Sequence, residues 1–178
     1  DIVAGQTSIS TIDGKRGVLT YRGISIHEMA DHSSFEECTF LLWYGRLPKA
    51  AELATFKDAI ASETLLDAQV EAWLKTLPAD ANPMSLLRTG VSLLGLANPE
   101  EGASVIPEPY VEGQKFMGQL TPGAPGFGPE HPNSRKAIRL LGRITALVPA
   151  IQRIMKKQPF VQPEKGKSVA YNFLLCLT

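Results

Sequence analysis

Between Arg135 and Lys157, apolar residues recur at Ala137, Leu141, Ile144, Val148, Ile151 and Met155. Spacings of three and four sustained over about six turns predict one long helix with an apolar stripe along its side. Pro149 falls inside the stripe and predicts a kink, because its ring crowds the carbonyl four residues earlier and removes an amide donor. A chain built around such an element is constrained to a mainly helical fold.

Shorter helical patterns surround it. Ser25 can cap a helix over 26–31. Ser33 with Glu36, or Ser34 with Glu37, has capping-box spacing ahead of a helix that Gly45 and Pro48 end. Residues 35–44 are so apolar that most of this helix is expected to be buried. An amphipathic helix follows over 49–62, with Leu53, Phe56 and Ile60 on one side. Another is predicted over 65–76, where Leu66, Val70, Trp73 and Leu77 keep helical spacing up to Pro78. Asn82 and Pro83 supply a cap and a first-turn proline for a helix over 83–97. In it Leu87, Val91 and Leu94 form one stripe, and Leu86, Leu93 and Leu96 lie around the cylinder, which implies that more than one face is buried. Gly90 and Gly95 each cost about 1 kcal/mol relative to Ala inside a helix, a cost tolerated where another backbone comes close. A last helix is expected over 167–177.

Two regions depart from this pattern. Residues 7–22 hold β-favouring runs around Asp13-Gly14 and predict a hairpin with strands near 7–12 and 17–21. Residues 99–132 carry seven of the 13 prolines and six of the 15 glycines, which excludes a helix or central strand and predicts an irregular surface excursion. The fold class that results is all-α with a small N-terminal β-hairpin.

Charge narrows the function. Lys plus Arg and Asp plus Glu number 18 each, so no net positive field favours nucleic acid or an anionic membrane. No apolar run approaches the ~20 residues of a membrane-spanning helix. Cys38 and Cys176 lie in apolar stretches and read as buried free thiols, which implies a cytoplasmic setting. The chain starts at Asp1 without a Met and stops inside an apolar segment at Thr178, so it reads as a piece of something longer.

Candidate site residues are few. His27 and His32 flank the short second element beside Glu28 and Asp31 and read as solvated. His131 precedes a helix start in the proline-rich stretch. No histidine pair has metal-ligand spacing and there is no Cys-x-x-Cys. GAPGFG at 123–128 has the glycines of a phosphate loop, but prolines interleave them and no Gly-Lys-Ser/Thr follows. Arg135, Lys136, Arg139 and Arg143 fall at helical spacing near a helix start. They could meet a phosphate, though a solvated polar face is the simpler reading.

In order, SISTIDGKRGVLTYRG, Ser33 to Glu37, Trp43 to Pro48, Pro83-Met84-Ser85, SRKAIRLLGRITALVPAIQRI and AYNFLLCLT resemble segments of the citrate synthase and 2-methylcitrate synthase family. The resemblance covers about 1–98 and 133–178 and treats 99–132 as an insertion. It implies the N-terminal part of that family's large helical domain, spanning 1–178. It also implies an acyltransferase that joins acetyl-CoA to oxaloacetate and releases CoA. In the family two histidines and an aspartate do the chemistry, in motifs of the types His-Ala-x-His, Gly-Pro-x-His-Gly, Gly-x-Gly-His and Asn-Val-Asp. None of these strings occurs in the 178 residues. The chain by itself is therefore expected to be inactive, with no catalytic, cofactor-binding or metal-binding residue of its own. The resemblance further implies a homodimer through helices 83–97 and 134–156. A stand-alone helical dimerisation or scaffold module is the alternative.

Overall fold

The computed structural model describes residues 7–96 and 132–178. The insertion at 99–132, the GAPGFG stretch and His131 thus fall outside the described residues, apart from the backbone of Pro132. The described chain divides into two compact units, one formed by 7–56 and the other by 57–96 with 132–178. Helices dominate both, and a three-stranded antiparallel sheet opens the first.

In the first unit β1 (Ser10–Asp13), β2 (Val18–Tyr21) and β3 (Ile24–Ser25) pair in sequence order, with Ile12 opposite Leu19 and Thr20 opposite Ser25. The β1–β2 turn is built by Asp13, whose Oδ1 accepts the amides of Lys15 and Arg16 at 3.1 Å each. The third strand was not expected. It forms because Arg22 and Gly23 both take positive φ, 51° and 87°, the two left-handed residues that reverse a hairpin tightly. Helix α1 (Ile26–His32) starts where the Ser25 hydroxyl accepts the His27 amide.

Helix α2 (Phe35–Tyr44) settles which capping box operates. The Ser34 hydroxyl accepts the Glu37 amide at 3.3 Å, and the Glu37 carboxylate accepts the Ser34 amide at 2.7 Å. Gly45, at φ 74°, ends the helix and returns its amide to the Leu41 carbonyl. Phe40 and Leu41 are buried, but Phe35 is 48% exposed, so burial is less complete than the composition of 35–44 suggests. Helix α3 (Ala50–Ser62) bridges the boundary between the units. Its Phe56 meets Phe40 and Trp43 edge-on, with ring centroids 5.4 and 5.7 Å apart.

The core of the second unit joins Leu66, Val70 and Leu74 from the region of α4 (Ala68–Leu74) to Leu86 and Leu94 of α5 (Pro83–Leu96). Ala146, Leu147, Ala150 and Ile151 of α6 (Pro132–Met155) complete it. Helix α4 is shorter than the 65–76 expected, because Asp67 is extended (ψ 150°) and the chain after Leu74 tightens into i→i−3 turns from Thr76 to Trp73 and Leu77 to Leu74. Helix α5 begins as its sequence dictates: the Asn82 side chain accepts the amides of Met84 and Ser85.

Helix α6 runs without interruption through Pro149. Of the expected stripe only Ile151 is buried, and Ala137, Leu141, Ile144, Val148 and Met155 are half-buried. The innermost positions are instead Gly142, Thr145, Ala146, Leu147, Pro149 and Ala150. Both α5 and α7 (Val169–Leu177) pack on α6, and small residues let its backbone lie close to them while larger ones border the contact.

Two buried polar residues fasten α7. Asn172, fully buried, accepts the Glu164 amide at 2.8 Å and donates to the Glu164 carbonyl at 3.0 Å. Arg153, 8% exposed, donates from Nε to the Cys176 carbonyl at 2.6 Å and from Nη1 to that of Pro159 at 3.3 Å. A cation at the C-terminal end of a helix satisfies carbonyls that the helix itself cannot.

Candidate functional site

The basic residues at the start of α6 are a candidate for gripping an anion, and the structure gives two of them another role. Arg139 Nε lies 3.2 Å from Glu63 Oε2. Arg143, with its side chain 12% exposed, places Nη2 3.7 Å from the same oxygen and Nη1 3.0 Å from Asp67 Oδ2. The solvated polar face read from the sequence therefore holds for Arg135, which is exposed, but not for Arg139 and Arg143. These two clamp α6 onto the chain between α3 and α4. Nothing local in the sequence announces the clamp, since its acids lie 76 residues and more before the arginines.

Close packing accompanies the charges. A Cβ on Gly142 would stand 2.8 Å from the Glu63 carbonyl oxygen and 2.9 Å from its carbon, so α6 meets this backbone where only glycine fits. Asp67 occupies the N-cap position of α4 yet makes no side-chain cap bond, and its carboxylate serves Arg143 instead.

The outward faces of α5 and α6 bear on assembly. On α5 the buried positions are Leu86, Gly90 and Leu94, and Leu87, Val91 and Leu93 are half-buried beside them. The opposite side carries Ser85, Arg88, Thr89, Ser92 and Gly95, all exposed. Helix α5 is thus not apolar nearly all round, contrary to the sequence reading, and one core face accounts for most of its leucines. Met84 and Leu96, 69% and 75% exposed, remain apolar at its two ends. The hydroxyls of Thr89 and Ser92 donate to the carbonyls of Ser85 and Arg88 four residues back. On α6, Leu140 is 40% exposed next to half-buried Leu141 and Ile144.

His27 and His32 are exposed, in keeping with a solvated role. Among the described residues no group of three His, Cys, Asp or Glu side chains could hold a metal ion. Cys38 and Cys176 are free, and burial pushes both thiols up in pKa; at Cys176 the Arg153 guanidinium pulls partly the other way. No helix of the described residues is long and apolar enough to cross a membrane.

Comparison with known proteins agrees over the full length. A family model described as citrate synthase, C-terminal domain, matches residues 1–178. Citrate synthase 2 of Bacillus subtilis is 34% identical over 177 residues, covering 99% of this chain and 41% of its own length. The 2-methylcitrate synthase of Mycobacterium tuberculosis is 30% identical, covering 97% of this chain and 37% of its own. Among solved structures, citrate synthase from Pyrobaculum aerophilum superposes with a TM-score of 0.78 at 30% identity, over 99% of this chain and 40% of that one. Citrate synthase from Thermotoga maritima gives 0.72 at 26% identity. The chain spans about two-fifths of the length of these relatives. With the family matched from end to end and the helical architecture shared, the chain belongs to the citrate synthase family.

Proposed function

We propose that these residues are the helical scaffold of a citrate-synthase-type acyltransferase, and that the scaffold alone does not catalyse. The observation that carries this reading is the end-to-end likeness at a TM-score of 0.78, combined with coverage of only 40% of the matched chain. In the complete enzyme the substrates would be acetyl-CoA and oxaloacetate, and the condensation needs a carboxylate base, an enolate-stabilising donor and cations for the dicarboxylate. The sequence strings that supply those groups in the family are absent from the 178 residues. Arg139 and Arg143, the most suggestive cations, are engaged with Glu63 and Asp67.

We place the protein in the cytoplasm, a reading supported by its two free cysteines. Assembly as a homodimer through α5 and α6 belongs to the same proposal. Its support is the exposed Met84, Leu96 and Leu140 together with the half-buried apolar border of α6. An isologous pairing would cover these residues on both copies at once. The same surface favours a second reading, a dimerising module that works without a catalytic half.

A thiol-release assay with acetyl-CoA and oxaloacetate tests the proposal together with the intact mass of the native gene product. The expected results are no turnover by the 178-residue chain and a native mass more than twice its 19.3 kDa. Turnover that survives repurification would overturn the scaffold reading. A native product of 19.3 kDa that scatters light as a dimer would establish the module instead.

A further inference from the structure

We draw no further inference here: the strongest candidate, the outward face of α7, where Tyr171 and Leu174 are 44% and 59% exposed on a helix without a charged residue, is an unpartnered apolar face and nothing in the structure shows what covers it.

Discussion

Arg22 donates from Nη2 to the carbonyl of Leu42 at 3.0 Å, joining the turn between β2 and β3 to the last turn of α2. The same guanidinium donates from Nη1 to the Ser8 hydroxyl at 2.8 Å. Arginine is an unfavoured residue at φ 51°, and this double bridge offsets the strain of holding it there. Replacing Arg22 with Met is expected to destabilise the first unit by about 1–2 kcal/mol, the range of a partly exposed charge-assisted hydrogen bond. Amide exchange should accelerate first in β1 and β2. Unchanged exchange there would mean that the bridge contributes nothing.

Gly142 and Gly90 make a matched pair of opposite expectation. At Gly142 a methyl group meets backbone at 2.8 Å, so Gly142→Ala should cost about 1–3 kcal/mol, as overpacking does. At Gly90 it meets side chains rather than backbone, the methyls of fully buried Leu147 at 2.9 and 3.2 Å and the Trp73 ring at 3.3 Å, and a smaller cost is expected. There the gain in helix propensity, about 1 kcal/mol, largely offsets the crowding. Urea denaturation of the two variants checks the ranking, and an equal loss at both sites would contradict it.

Arg153, itself 8% exposed, serves the carbonyls of buried Cys176 and of exposed Pro159. Arg153→Met should cost about 1–3 kcal/mol, because the buried Cys176 carbonyl loses its donor, whereas the carbonyl of exposed Pro159 can turn to water. Lys at the same position should recover little, since a single ammonium cannot span Cys176 and Pro159 as the planar fork does. Thermal melts of the Met and Lys variants decide this, and full rescue by Lys would show that only the charge matters.

Glu52 gives a pH signature. The Arg46 guanidinium, 2.5 Å away, and the Lys49 amide hold its carboxyl down to about 2. A carboxyl with a depressed folded pKa adds stability that is present above its ordinary value and is lost as the pH falls through the folded one. The advantage of the native chain over Glu52→Gln should therefore persist at pH 6 and shrink between about pH 4.5 and 2. The pair is solvent-exposed, so the effect should be small and should weaken in high salt. An advantage that stays constant across this window would contradict the assignment.

Local chemistry was readable where neighbours in sequence supply both partners. Asn82 with Pro83 announced α5, and Ser34 with Glu37 was one of the two capping boxes that announced α2. The third strand was missed because Arg22 is not a residue that normally marks a left-handed turn. The clamp of Glu63 and Asp67 on Arg139 and Arg143 was missed because it depends on segments distant in sequence that only the fold brings together. The face of α6 was misread for a related reason. Periodicity finds the large apolar residues, but Gly142 is buried against the Glu63 backbone, and Ala146 and Ala150 are as deeply buried as Leu147 in the core that α6 shares with α5. On α5, periodicity did not separate the core face of Leu86 and Leu94 from the exposed side of Ser85, Thr89 and Ser92.

The diversion of Asp67 to Arg143 leaves α4 dependent on its neighbours. A helix of seven residues whose cap position makes no side-chain bond lies below the length that holds itself together in water. Val70 and Leu74 share one core with the leucines of α5 and the 146–151 stretch of α6, and that burial holds them in helical register. Cut out as a peptide, residues 63–78 should be coil. Helix α4 thus draws its stability from packing on α5 and α6 rather than from its own length or cap.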